Sequence, residues 1–347
     1  MTAAPGQKAP YEISAPEVWA RSPLLSILTI TYNHAAFITE CLASAMRQHT
    51  TFPTEMVIGE DCSTDGTRAI CEEYQRRHPD RIRLLLPPVN RGRYENFRQA
   101  FAACRGRYVA LLEGDDYWTV PDKLQRQVDL LEAHPEWALS FHNVCILEDN
   151  RPTRLFFETR PKAVFTQEDF IERNFVPTCA CVFRNQRGVS FPAWYYDEDK
   201  NPYPDWVLHV LTTARGAAGY IHAVMAVHRR HAGGVWGRTF SGGLDAEIER
   251  MTRRLKTFAR LAECMPPQCQ QRLRRQRALA AFHLAVAWRE KGHRTRACQY
   301  ALRALREDPR AGLPWARFLL RTALGRNQAA GTEKNRLRAE GEQRDQG

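Results

Sequence analysis

Residues 108–124 read YVALLEGDDYWTVPDKL. The first five, Tyr108-Val109-Ala110-Leu111-Leu112, are an apolar run with the length and composition of a buried strand. Three acids follow at once, Glu113, Asp115 and Asp116, with Gly114 between them. Pro121 then opens a second apolar pattern, Leu124, Val128 and Leu131, at helical spacing. Carboxylates crowded at the end of a buried strand repel one another and are costly to keep charged. A positive partner is therefore expected there, most simply a divalent cation. The alternative is a polar turn in which Asp116 caps a helix.

Working outward, the same rhythm repeats. Leu24 to Thr31 is an apolar strand ending in Tyr32-Asn33-His34, and Phe37, Ile38, Cys41, Leu42 and Ala45 mark the face of a following helix. Glu55 to Gly59 is a second strand, ending in Glu60-Asp61-Cys62-Ser63-Thr64-Asp65-Gly66-Thr67 before a helix with Ile70 and Tyr74 inward. Ile82 to Leu86 is a third; Asn90-Arg91-Gly92 is a turn, and Phe97, Ala100, Phe101 and Cys104 pattern another helix. Strand and helix in alternation, with polar residues gathered after each strand, predict an α/β fold with a Rossmann-like, doubly wound, mostly parallel sheet. Ligands of such sheets bind at the carboxyl ends of the strands. No GxGxxG follows the first strand and no GxxxxGK[ST] occurs, so a dinucleotide fold or a P-loop is unsupported.

Further on, Trp137 to Val144 reads as a strand, Cys179 to Phe183 as a short one, and Pro204-Asp205-Trp206 opens a helix. Gly219 to Ile221 and Met225 to Val227 look like two strands leading to a loop of cations and glycines from His228 to Trp236. From Leu244 the pattern is helical, and residues 276–309 have a small-residue rhythm resembling one tetratricopeptide unit of two antiparallel helices. The expected organisation is an irregular segment at 1–22, an α/β domain at 23–243, a helical extension at 244–325 and a disordered tail at 326–347.

The chain has 347 residues and a net charge of +11. Roughly +13 lies from residue 246 onward, so the α/β part is near neutral. A catalytic domain that gripped DNA would carry the charge itself, and no nucleic-acid partner is expected. Ten cysteines occur without a CxxC pair. Cys179-x-Cys181 fits alternating residues of a strand better than zinc, and reduced thiols suit a cytoplasmic chain. Residues 1–20 lack the pattern of a signal peptide, and no apolar run approaches the length of a membrane span.

Together these pieces resemble the family-2 glycosyltransferases, which have the GT-A fold. Residues 27–33, ILTITYN, resemble the family's opening strand, and residues 60–67, EDCSTDGT, its acidic pair followed by Ser-Thr-Asp-Gly-Thr. Asn90-Arg91-Gly92 matches its Asn-x-Gly turn, and Glu113-Gly114-Asp115-Asp116 its DxD region, with Pro121-Asp122-Lys123-Leu124 behind. Asp205-Trp206 is similar to the motif that supplies the base, and Arg230-His231, with Gly233-Gly234, to the loop closing over the donor. The likeness covers about residues 23–240. Ile30 replaces the usual proline, Glu60 the frequent Asp, and Glu113 the first acid of DxD.

The resemblance implies a metal-dependent, inverting glycosyltransferase of cell-surface polysaccharide synthesis. The donor would be a nucleotide-sugar, with UDP expected, and the acceptor a hydroxyl of a glycan or lipid-linked molecule. Thr31, Tyr32, Asn33, Glu60, Asp61, Asn90, Arg91, Gly92, Glu113, Asp115 and Arg230 would hold the donor. Asp115, Asp116 and His231 would hold Mg²⁺ or Mn²⁺, with Asp116 the closer ligand, and Arg229 and Arg230 would supply fixed positive charge. Asp205 would be the catalytic base. Each has a plainer reading: Asp61 as a turn residue, Asp205 as an N-cap, His231 as a surface-loop histidine, Trp206 and Trp236 as core rather than sugar platforms. For Asp65 the turn reading is preferred.

The basic C-terminal helices would be a solvated face, a protein-binding hairpin, or a contact with an anionic membrane on the cytoplasmic side through residues 312–325, with Trp315, Phe318, Leu319 and Leu320 dipping in. Two other functions compete. A sugar-phosphate nucleotidyltransferase needs a Gly-rich phosphate loop where Tyr32-Asn33-His34-Ala35-Ala36 stands. A non-catalytic interaction protein on a decayed domain would not retain Asp61, Asp115, Asp116, Asp205 and His231 together.

Overall fold

Every residue of Tyr108–Leu111 is buried in a strand, as its composition predicts. The structure, a computed structural model, describes residues 8–148, 151–185, 191–231, 234 and 243–323. The chain divides into two compact units, Met1–Gly237 and Arg238–Gly347.

The first unit begins with β1 (Glu12–Ile13) and α1 (Pro16–Trp19). Strands and helices then alternate: β2 (Leu25–Thr31), α2 (Ile38–Met46), β3 (Thr54–Glu60), α3 (Thr67–Arg77), β4 (Ile82–Leu85), α4 (Arg93–Ala103) and β5 (Tyr108–Leu111). Nearly every residue of these four long strands is buried, the continuous pattern of a parallel sheet covered on both faces. The order β4-β3-β2-β5 is parallel throughout. There follow β6 (Tyr117–Trp118), α5 (Lys123–Ala133), β7 (Trp137–Glu148), β8 (Arg151–Leu155), β9 (Val164–Phe165), α6 (Gln167–Glu172), β10 (Val182–Arg184), α7 (Pro204–Thr213) and β11 (Ala217–Arg230). β10 is antiparallel to both β5 and β7, and β11 is parallel to β7 and antiparallel to β6. The result is one mixed sheet with the expected parallel half.

Register decides where the polar clusters lie. Thr31 is opposite Glu60, and Leu28 is opposite Leu111. The Gly114 amide donates to the Ile30 carbonyl at 3.1 Å, so the acidic stretch continues beside the end of β2. The segments after β2, β3 and β5 therefore share the carboxyl edge of the sheet.

The structure corrects four local expectations. The lead-in is anchored, not irregular, over its described part: β1 pairs with β4, and Glu12 meets the fully buried Arg83 at 2.8 Å. Cys179 lies in a 3-10 turn, Thr178–Ala180, closed by the Ala180 amide on the Pro177 carbonyl at 2.9 Å, and the strand starts only at Val182. Gly219–Ile221 and Met225–Val227 are one strand, β11, whose register slips between Ile221 and Val224. That strand runs through Arg230, so His228, Arg229 and Arg230 are strand residues rather than loop residues.

One buried cation stands out. Lys123 is fully buried, with Nζ 3.9 Å from the Trp118 ring centroid. Its Nζ has no hydrogen-bond partner among the described residues. Burial pulls its pKa down to about 7.

Among its described residues the second unit holds four long helices, α8 (Leu244–Cys264), α9 (Gln270–Glu290), α10 (Arg294–Glu307) and α11 (Gly312–Ala323). The small residues of the sequence rhythm bring α9 and α10 together: Ala281 and Ala285 on one, and Ala297 and Ala301 on the other, have no exposure. Gly292 turns the chain between them with φ +84°. Trp315 stacks on Phe282 with ring centroids 4.8 Å apart, and Phe318 meets the same ring edge-on. Trp315 and Phe318 are buried, and Leu319 packs against the same cluster, whereas Leu320 is exposed. Two of the four residues expected at a membrane, Trp315 and Phe318, are thus core residues, because an aromatic pair gains more by filling the helical core than by facing solvent. The tail at 326–347, Trp236 and Gly233 lie outside the described residues. No helix among the described residues is long and apolar enough to cross a membrane.

Candidate active site

Three carboxylates, Glu113, Asp115 and Asp116, offer oxygens within 4.8 Å of one another. The strand-to-turn transition after Leu112 creates this crowding, because Gly114 lets the segment lie flat against β2. A Cβ at Gly114 would come within 2.5 Å of Thr31 Oγ1 and 2.8 Å of His34 Nδ1. Burial, then Asp115 and Asp116, push the Glu113 pKa up to about 8, with Asp205 adding to the push. A group this reluctant to ionise beside two other acids is a place where a cation is favoured.

The two aspartates differ. Asp116 is buried and both of its oxygens are engaged: Oδ2 is 3.1 Å from His228 Nδ1, and Oδ1 accepts the Arg229 amide at 2.8 Å. Although burial alone lowers the His228 pKa, the Asp116 carboxylate raises it to about 9. Asp115 is partly open. Its Oδ2 is 3.1 Å from His231 Nε2 and 4.0 Å from His34 Nε2. Asp116 is thus tied into β11, and Asp115 is the carboxylate left facing outward. Nor is Asp116 a helix cap, since its side chain points to β11.

Strand alternation sorts the arginines. Arg229 donates to the Asp115 carbonyl at 2.7 Å, pairs with Glu40, and lies over the rings of Phe37 and Tyr117. Arg230 faces the other side and pairs with Glu148 of β7 at 3.1 Å. Side chains alternate along β11, so Arg229 lies beside the acidic stretch and Arg230 does not. His231 follows the strand, its ring 4.7 Å from that of Phe37.

Of the other expected residues, Thr31 is buried beside His34, with Oγ1 3.2 Å from Nδ1, and Tyr32 is exposed. Asn33 holds a turn: its amide donates to Ser63 Oγ, and its Oδ1 accepts the Thr64 amide. Glu60, expected to contact the donor, is engaged within the protein. It is fully buried, and its carboxylate takes Arg68 Nε at 2.6 Å and the Ser63 amide at 2.7 Å. Asp61 is buried and accepts the Arg91 amide at 2.7 Å, bonding across thirty residues of chain rather than within a local turn. Burial raises its pKa. Asn90 accepts the Gly92 amide and donates to the Asp61 carbonyl, and Gly92 has φ +79°. Asp65 accepts locally from the Thr67 amide and hydroxyl, as its preferred turn role predicts, and also from the Ala35 amide thirty residues away. Trp206 is a core residue, its indole N–H donating to the Phe170 carbonyl.

Asp205 occupies the first turn of α7, where Tyr203 is the N-cap residue. Its Oδ2 accepts from Asn174 Nδ2 at 2.7 Å. Sequence reasoning passed over Asn174, Glu40, His228 and His34. Only the last had a legible signal, an imidazole directly after the Tyr-Asn pair that closes β2.

Residues 26–187 match the family model Glycosyl transferase family 2. The chain is 39% identical over 214 residues to an uncharacterized protein of Mycobacterium tuberculosis strain H37Rv, covering 61% of this chain and 60% of that one. The chain thus spans about 60% of the length of its mycobacterial relatives. Chondroitin synthase of Escherichia coli is 32% identical over 150 residues, 42% of this chain and 20% of the synthase. Among solved structures, TarS 1–349 of S. aureus aligns with a TM-score of 0.56 at 15% identity, covering 88% of this chain and 93% of that one. TarS has also been solved with UDP-GlcNAc. The mannosyltransferase PcManGT from Pyrobaculum calidifontis, in complex with GDP-Man and Mn²⁺, aligns with a TM-score of 0.52 at 20% identity, covering 93% of this chain and 86% of that one. These likenesses show an α/β GT-A fold with a helical C-terminal region.

Proposed function

We propose that this chain is a metal-dependent, inverting glycosyltransferase that moves a sugar from a nucleotide-sugar, UDP-linked as first choice, to a hydroxyl of a glycan or lipid-linked acceptor in polysaccharide synthesis. The observation that carries the reading is the convergence, at the carboxyl edge of the parallel strands, of an acidic stretch with Arg229 and His231. The matched family and the relatives' names support glycosyl transfer. The nucleotide-sugar complexes of TarS and PcManGT support the donor class.

In this reading Asp61 accepts from the base, and Tyr32, exposed at the same edge, stacks on it. A bound divalent cation supplies charge neutralisation for the departing diphosphate. Asp115 and His231 hold it, with Asp116 fixing the strand behind them. Arg229 brings a fixed positive charge to the same side. Asp205, oriented by Asn174, takes the proton from the acceptor hydroxyl. That oxygen forms its bond to the anomeric carbon as the bond from this carbon to the diphosphate breaks, and the nucleoside diphosphate leaves.

The test is a screen of UDP-, GDP- and dTDP-sugars with Mn²⁺ or Mg²⁺, reading donor hydrolysis and the shift in melting temperature. Metal-dependent release of one nucleoside diphosphate supports the reading. Absence of both hydrolysis and any nucleotide-dependent shift overturns it.

A further inference from the structure

His34 has no role in the reading above, yet its ring points into the same space. Its Nε2 is 4.0 Å from Asp115 Oδ2, the atom that His231 Nε2 approaches to 3.1 Å. The three ligand atoms lie within 4.8 Å of one another, and all three side chains remain partly open. The two imidazole rings stand 6.2 Å apart at 81°, so their edges converge while their planes do not stack. For an ion about 2.1 Å from each ligand, atoms at right angles are about 3.0 Å apart and opposed atoms about 4.2 Å apart. The separations on Asp115 fall on that scale.

The opposite edge of the His34 ring is also held. Nδ1 is 3.2 Å from Thr31 Oγ1. A partner on the far nitrogen fixes the ring and its tautomer, as the supports of metal-bound histidines do. With Nδ1–H donating to the threonine oxygen, Nε2 is left with a lone pair toward Asp115. The backbone supports the same position: the His34 amide donates to Thr67 Oγ1 at 2.8 Å, and Gly114 leaves no side chain between the ring and the acidic segment.

We propose that His34 is a third protein ligand of the cation, so that the site is a two-imidazole, one-carboxylate set built from His34, Asp115 and His231. This rests on the glycosyltransferase reading for the presence of a cation and sharpens which cation it is. Imidazole nitrogen suits Mn²⁺, Fe²⁺, Co²⁺ and Zn²⁺ far better than Mg²⁺, which prefers an all-oxygen shell. The site selects a transition metal of the Mn²⁺ class over Mg²⁺.

The experiment is Mn²⁺ titration of the full chain with UDP present, read by loss of the free-ion EPR signal, with Mg²⁺ as competitor. Pulsed EPR of the bound Mn²⁺ counts imidazole nitrogens. In the wild-type protein two imidazole couplings are expected, with Mn²⁺ held at least tenfold more tightly than Mg²⁺. His34→Ala should lose one coupling, weaken Mn²⁺ tenfold or more, and narrow the preference over Mg²⁺. Thr31→Val should weaken Mn²⁺ by about tenfold with both couplings retained. One coupling in the wild-type spectrum overturns the proposal even if His34→Ala fails to fold. If His34→Ala binds like the wild type while His231→Ala does not, His34 is no ligand and the metal reading survives. If the wild type binds no Mn²⁺ with UDP, both fall.

Discussion

Asp116 Oδ2 and His228 Nδ1 face each other at 3.1 Å where the acidic segment meets β11. Asp116 raises the His228 pKa against the opposing effect of burial, so the imidazole is charged at neutral pH. Without the carboxylate, burial lowers the His228 pKa and the ring sheds its proton, while the Arg229 amide loses its acceptor. Asp116→Ala is expected to destabilise the protein by about 1–3 kcal/mol, whereas Asp115→Ala relieves crowding and leaves the melting temperature within a few degrees. Only Asp115→Ala should lose Mn²⁺ binding while staying folded. Thermal melts and Mn²⁺ titration of both variants check this, and equal melting temperatures would contradict it.

Lys123 gives a pH dependence of known sign. Its pKa in the folded state, about 7, lies below the ordinary lysine value near 10.5, so the unfolded chain binds the extra proton between those limits. The folded state is penalised fully below pH about 7, and stability recovers as pH rises toward 10.5. Lys123→Met, which keeps the stem against Trp118, should gain about 1 kcal/mol or more at pH 7 and lose that pH-dependent recovery. Urea unfolding at pH 6.5 and pH 9 measures it; parallel behaviour of the two proteins would show that the lysine is paired.

Arg229 and Arg230 should behave as opposites. Arg230→Ala removes a half-exposed ion pair with Glu148 and costs at most about 1 kcal/mol, with UDP affinity unchanged. Arg229→Ala removes the contact to the Asp115 carbonyl and the charge beside the acidic stretch, and should weaken UDP with Mn²⁺ by tenfold or more. Calorimetric titration of both variants decides between them.

Asp205→Asn should keep nucleotide binding and lower transfer by about 10²–10⁴-fold. Asn174→Ala should lower kcat by a smaller factor with KM little changed, because Asn174 donates to the Asp205 carboxylate at 2.7 Å and would orient it. Full transfer by Asp205→Asn would move the base elsewhere.

Glu12→Ala should destabilise the α/β unit by about 3 kcal/mol, because Arg83 stays buried under Trp19 with Glu55, at 3.3 Å, as its remaining carboxylate. A variant with an unchanged urea midpoint would show that Glu55 alone neutralises Arg83.

The parallel half of the sheet was legible because its strands are continuous apolar runs closed by polar turns. The carboxyl-edge clusters followed from that alternation. What escaped depends on contacts between distant segments. Glu12 looked like part of a loose lead-in because its partner lies on β4. Glu60 and Asp61 are neighbours of similar chemistry, and only the packing of Arg68 and the Arg91 amide separates their roles. The choice between Arg229 and Arg230 required knowing that β11 extends past His228, which a loop-like composition concealed. Trp315 and Phe318 suggested a membrane because the pattern shows amphipathicity but not the identity of the covering surface.

Position 114 has a consequence for the history of the chain. Any side chain there collides with Thr31 and His34, so the segments after β2 and β5 could change their chemistry over time but could not drift apart. A saturation library at this codon should return glycine almost alone, whichever sugar the rest of the edge has come to accept.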